Sequence, residues 1–220
     1  MSRSFTVEKN PYNEPKVLFK SKELTFNPGV TVLIGCNGSG KSTLLHDIEW
    51  QLKKIPEVVV VSYDNQIDGD QSSIGKHMFF GDTTWGATAI CSSEGERIYM
   101  NVGDIARKCG AAKRKFNNET KEFWLLMDAV DSGYSIDNVI DLKNELFNLI
   151  IGDMSSQVEV YIVVTANAYE LVNGEQCLDV RTGKYVNFKD YNEYRDFILL
   201  SRSNKDKRVA KDNKKGVGNR

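Results

Sequence analysis

The segment Gly35-Cys36-Asn37-Gly38-Ser39-Gly40-Lys41-Ser42 satisfies the pattern G-x-x-x-x-G-K-[ST] and stands between an apolar run, VTVLI at 30–34, and a stretch of helical periodicity. The chemistry open to such a segment is the holding of a phosphate chain. Glycines let the backbone N–H groups of Asn37, Gly38, Ser39 and Gly40 curl around a β-phosphate, and the following helix N-terminus adds positive potential. Lys41 is placed to bridge β- and γ-phosphates and the Ser42 hydroxyl to ligate Mg2+, with Thr43 next in the nucleotide-binding segment. ATP and Mg2+ are therefore the expected ligands. The plain alternative is a glycine-rich strand-to-helix turn with no ligand.

A second chemical segment is FWLLMDAVDSGYSID at 123–137. Asp128 ends an apolar run, which suits a carboxylate holding Mg2+ through water opposite Ser42. The next residue is Ala129, whose methyl group cannot accept a proton. A third segment, Ser92-Ser93-Glu94-Gly95-Glu96, precedes the helical RIYMNVGDIARK. Ser93 followed by Glu96 makes an S-x-x-E capping box, and a serine hydroxyl at a helix N-terminus also forms an anion site.

These residues need a scaffold. VTVLI at 30–34, EVVVVSY at 57–63, FWLLM at 123–127 and VEVYIVVTA at 158–166 are continuous, β-branched apolar runs of the kind buried in a parallel sheet. Between them lie a helix after Ser42, with Leu44, Leu45, Ile48, Leu52 and Ile55 on one face and Pro56 at its end, and an amphipathic helix over about 136–151. Strand and helix alternate, so the expected fold is α/β, a mostly parallel sheet with right-handed crossovers. KVLFKSKELTF at 16–26 predicts a small antiparallel β lobe near the N-terminus. CLDV and KYVNF around RTG predict a C-terminal hairpin, followed by a helix over about 190–202.

The filling G-x-N-G-x-G-K-S-T resembles the ATP-binding cassette superfamily, including SMC-type ATPases, and DSGYSID resembles the loop after the metal strand in small SMC-like and phage-type members. That resemblance implies a P-loop NTPase sheet and two subunits that sandwich two ATP·Mg2+ head to tail. Ser93 and Gly95 fit the signature by which one subunit caps the γ-phosphate held by the other, although Glu94 replaces a glycine. Asp137 is then the loop aspartate that crosses to the partner, with N-capping of the next helix as its alternative. Asn167 takes the switch position, usually a histidine, where it can donate a hydrogen bond but cannot titrate. Gln66 or Asn65 takes the place of the metal-sensing glutamine, a polar turn being the alternative. Tyr12 is a weak candidate for adenine stacking against a packing role.

Ala129 occupies the position of the family's catalytic glutamate. Three explanations stand: Asp131 supplies the carboxylate, the protein binds ATP while hardly hydrolysing it, or the glutamate has been replaced to trap the bound state. Asp131 fits the D-S-G segment better than the role of base, which ranks the last two above the first. The expected function is thus an ATP-binding protein and Mg2+-dependent ATPase that dimerises around ATP, with hydrolysis doubtful. The rival is a non-hydrolysing, ATP-dependent dimerisation switch that binds nucleic acid or a partner protein.

At 220 residues and 40% hydrophobic content, the chain is long enough for one sizeable α/β core, or a core with a small lobe, and two fully independent domains would be a squeeze. A single nucleotide-binding domain over 1–202 and a basic, disordered tail over 203–220 is the expected organisation. The net charge of -1 hides a split, because residues 201–220 hold eight basic against two acidic residues. That tail could touch nucleic-acid phosphates or be a solvated arm. The sequence shows neither an 18-residue apolar run nor a charged-then-apolar leader, so a membrane partner is not expected and a cytoplasmic location is. Cys36, Cys91, Cys109 and Cys177 are scattered and read as reduced thiols rather than a zinc site, while His46 and His77 read as surface or packing residues.

Overall fold

The computed structural model describes residues 2–8, 18–68, 94–132, 134–154 and 156–217; the side chains at 66–67, 94–100 and 211–217 are not described. Ser93, Tyr12, His77 and Cys91 therefore lie outside the described residues. The strands are β1 (Arg3–Thr6), β2 (Glu23–Phe26), β3 (Gly29–Ile34), β4 (Val58–Asp64), β5 (Glu122–Asp128), β6 (Glu159–Thr165), β7 (Gln176–Asp179) and β8 (Lys184–Val186). The helices are α1 (Lys41–Leu52), α2 (Asn65–Asp68), α3 (Glu94–Lys113), α4 (Ile136–Asp141), α5 (Asn148–Met154), α6 (Tyr169–Val172) and α7 (Tyr191–Val217). A π-helical stretch, Leu142–Phe147, joins α4 to α5, so the single helix expected over 136–151 is interrupted.

The apolar runs do form the sheet. Six strands lie in the order β4-β5-β6-β3-β7-β8, parallel throughout except for the β7–β8 hairpin. All seven residues of β5 are buried, as expected for a central strand covered on both faces. Burial of each large apolar side chain contributes about 1.5–3 kcal/mol. On one face Leu125, Met127, Ile162 and Val164 pack with Val139, Leu142 and Ile150. On the other, Trp124 stacks flat on Tyr161 at 4.1 Å and meets Phe5 and Phe26 edge-on, alongside Leu44, Ile48 and Leu52 of α1.

That second face explains the β lobe. β1 pairs antiparallel with β2, and its Arg3 makes a forked ion pair with Glu122 of β5, the shortest contact being 2.6 Å. The expected lobe is present, but the partner of Glu23–Phe26 is Arg3–Thr6, a four-residue stretch too short to announce itself by alternation.

One boundary needs correction. The basic stretch from 203 onward was expected to be disordered, whereas α7 continues unbroken from Tyr191 to Val217. Lysine, arginine and alanine are good helix formers even without an apolar stripe, and the first half of α7 is anchored by contacts described below.

Candidate nucleotide-binding site

β3 delivers the chain at Ile34 into a loop that closes on α1 at Lys41. The loop's shape depends on glycine. Gly40 sits at φ 98°, and a Cβ there would come within 2.8 Å of Leu18 Cδ2, so the residue before the lysine admits no side chain. Ser39 is buried, and among the described residues its Oγ has no hydrogen-bond partner, an orphaned polar atom within the loop. Ser42, the expected Mg2+ ligand, opens α1 and is exposed.

Lys41 is buried, with Nζ donating to the Gly35 carbonyl at 2.8 Å and to Asn167 Oδ1 at 3.1 Å. Burial pushes its pKa below the ordinary lysine value, while Asp131, Cys36 and Asp128 pull it back up. The structure thus brings Lys41 and Asn167 into direct contact.

Asp128 is buried at the C-terminal end of β5, where ligands of open α/β sheets bind. Its Oδ1 accepts a hydrogen bond from Thr165 Oγ1 at 2.6 Å, and that hydroxyl accepts one from the Ala129 amide at 2.8 Å. Thr165 therefore ties the ends of β5 and β6 together. The sequence marked its segment but not this role. Ala129 has φ 50°, among the described residues the one non-glycine in the left-handed region.

Asp131 is where the structure says most beyond the sequence. Its Oδ2 accepts from the backbone amides of Asn167 and Ala168, each at 2.6 Å. The carboxylate is engaged in shaping the loop that carries Asn167, and it is the leading charge supporting Lys41. Asn65 is likewise occupied, accepting from Tyr63 Oη at 3.1 Å and donating to the Ser132 carbonyl at 2.8 Å. Gln66 falls in α2, and its side chain lies outside the described residues.

A cluster that could hold a metal ion includes a residue that reads in the sequence as surface or packing. His46, one turn along α1 from Ser42, joins Asp64 and Asp128, whose ligand atoms all lie within 4.8 Å of one another. Asp64 and Asp128 are register partners on β4 and β5, and with His46 they line a cleft of about 200 Å3. The carboxylate oxygens of Asp64 and Asp128 are hard ligands of the kind that Mg2+ takes.

Gly95 lies in the first turn of α3, which begins at Glu94, directly after the position of Ser93. Asp137 is exposed in the first turn of α4, where Ser135, not Asp137, is the N-cap residue. The Ser135 hydroxyl donates to Asp137, and this contact together with the Asn138 amide holds the Asp137 carboxyl below its ordinary pKa. N-capping by Asp137 is therefore not what fixes it.

Among the described residues no helix is long and apolar enough to cross a membrane. Comparison with known proteins agrees with the loop chemistry. The chain is 26% identical over 122 residues to a tyrosine transport ATP-binding protein of Clostridioides difficile strain R20291, covering 54% of this chain and 47% of that one. It is 27% identical over 123 residues to the retron Vc95 probable ATPase of Vibrio cholerae serotype O1 biovar El Tor, covering 56% of this chain and 23% of that protein. The matched region is thus less than half of either relative's length. Residues 17–215 match the AAA domain, nearly the whole chain, with the phosphate loop, Asp128 and Asn167 all inside the match. The chain belongs to the AAA domain family, a family of ATP-binding P-loop ATPases.

Proposed function

We propose that this protein is an ATP-dependent association switch of the SMC-like, cassette type: ATP·Mg2+ bound at the phosphate loop draws two copies together head to tail, and turnover is slow in the chain as given. The observation that carries the reading is the contact between Lys41 Nζ and Asn167 Oδ1. A γ-phosphate reaching Lys41 shares or competes for the ammonium that Asn167 accepts from, which couples occupancy of the loop to the 166–168 segment and to Asp131, which holds it. Ser42 and Asp128 would hold Mg2+, which neutralises phosphate charge when bound.

Slow turnover follows from Ala129, which offers no proton acceptor; the nearby Asp131 is fixed in place by two amides on one oxygen, its other oxygen having no hydrogen-bond partner among the described residues. The exposed Asp137 and the helix beginning at Glu94 are the surfaces by which a second copy would close the site. The two relatives' names, an ATP-binding transport protein and a probable ATPase, support nucleotide use. The same observation at Ala129 favours a second reading, a switch that never hydrolyses and presents its closed form to nucleic acid or a partner protein.

Light scattering tests the switch. With ATP and Mg2+ the mass in solution doubles, whereas with ADP, or in Lys41→Ala, it stays that of one chain. A single-chain mass under all conditions would contradict the proposal.

A further inference from the structure

The C-terminal helix α7 lies against the phosphate loop. Three side chains of α7 make the contact along one stripe of the helix: Tyr194 Oη donates to the Asn167 carbonyl at 2.9 Å, Ser201 Oγ accepts from the Cys36 amide at 3.3 Å, and Lys205 Nζ donates to the Asn37 carbonyl at 2.7 Å. Their spacing of seven and then four residues puts them on one face. Between this face and the loop lies a cavity of about 370 Å3, of a size for a small ligand, lined by Gly35, Asn37, Asn167, Arg202, Lys205 and Asp206 among others. Lys205 also comes close to the loop's apex: a Cβ on Gly38 would lie 3.4 Å from its Nζ.

We propose that α7 supplies Lys205 and Arg202 as phosphate ligands from the same chain, closing the loop side of a bound nucleoside triphosphate. The inference rests on the nucleotide reading above. Lys205 already stands over the loop, held by a neutral peptide carbonyl. A phosphate oxygen in the cavity is a stronger, charged acceptor for the same ammonium, so the contact exchanges without moving the helix far. Arg202, one turn before Lys205 on the cavity wall, adds a second cation and a planar fork suited to phosphate. Asp206 shares that wall and opposes the anion, which sets a sign for a third variant. The Ser201 and Tyr194 contacts keep the helix docked when Lys205 changes partner.

The test is a fluorescence titration of the full chain with ATP bearing a fluorescent ribose group, with melting temperatures taken without nucleotide. Lys205→Ala and Arg202→Ala each weaken binding by about tenfold, Lys205→Arg restores most of it, and Asp206→Asn tightens it. The nucleotide-free melting temperature of Lys205→Ala falls only by the loss of one exposed hydrogen bond to Asn37, too little to account for the weakened binding, and that of Lys205→Arg stays at the parent's. If the parent binds, Lys41→Ala does not, and Lys205→Ala binds like the parent, this inference fails while the nucleotide reading stands. If the parent does not bind, or Lys41→Ala binds equally, the nucleotide reading fails and this inference with it. Weakening in Lys205→Ala that tracks a fallen melting temperature and is not rescued by arginine would also overturn it.

Discussion

Asp131 Oδ2 accepts a hydrogen bond from the backbone amide of Asn167 at 2.6 Å, joining the loop after β5 to the loop whose Asn167 side chain reaches Lys41. Because the Ala168 amide converges on the same oxygen, the carboxylate acts as an anchor, and its charge also steadies Lys41.

An anchor and a catalytic base respond differently to the same substitution. Asp131→Asn keeps the shape but loses the charge, and is expected to destabilise the fold by roughly 1–3 kcal/mol, as for a buried charge-assisted hydrogen bond. Urea unfolding reads this directly. Unchanged stability together with complete loss of residual ATP turnover would instead identify Asp131 as the base.

Ala129 holds φ 50°, a conformation that costs an L-residue with a Cβ about 1–2 kcal/mol. Ala129→Gly removes that strain at some entropic cost in the unfolded chain, leaving a net stabilisation of roughly 0.5–1 kcal/mol. A raised urea midpoint at unchanged slope is the expected result. A lowered midpoint would mean that the backbone turn after Asp128 is not strained in solution.

Burial depresses the Lys41 pKa, with Asp131, Cys36 and Asp128 opposing the shift. Unfolded chains therefore bind more protons than folded ones between the depressed and ordinary values, so this group's contribution to stability rises with pH there. Nucleotide works in the other direction. Phosphates favour the charged lysine, so ATP binding takes up a proton at alkaline pH, and affinity falls as pH rises through a range below that of an exposed lysine. Calorimetry in two buffers of different ionisation heat measures the uptake. Finding none in the alkaline range, or finding it undiminished in Lys41→Ala, would contradict the assignment.

How much of this the sequence carried depended on how local each feature was. The phosphate loop, Asp128 at a strand end and the parallel sheet are written in consecutive residues, so they are legible from spacing and apolar runs alone. Asp131 and Asn167 are 36 positions apart, and nothing in either segment says that one caps the other's amide. His46 reads as an ordinary helix-surface residue until β4 and β5 bring Asp64 and Asp128 beside it. Composition misled in the second half of α7, from residue 203 on, where few apolar residues and many lysines read as an unstructured arm. Its anchors are polar side chains on backbone atoms of a loop far away in sequence, a kind of contact that periodicity cannot register. Arg3–Thr6 was missed for a simpler reason, since four residues hold too little pattern.

The most direct test of the account compares ATP turnover in the chain as given with that of Ala129→Glu, at saturating ATP and Mg2+ with binding measured in parallel. Both proteins are expected to bind ATP with similar affinity, with turnover near background in the first and at least a hundredfold higher in the second, the scale of a positioned general base. Equal turnover in the two, or none in either despite binding, would contradict the claim that this site lacks only the group that activates water.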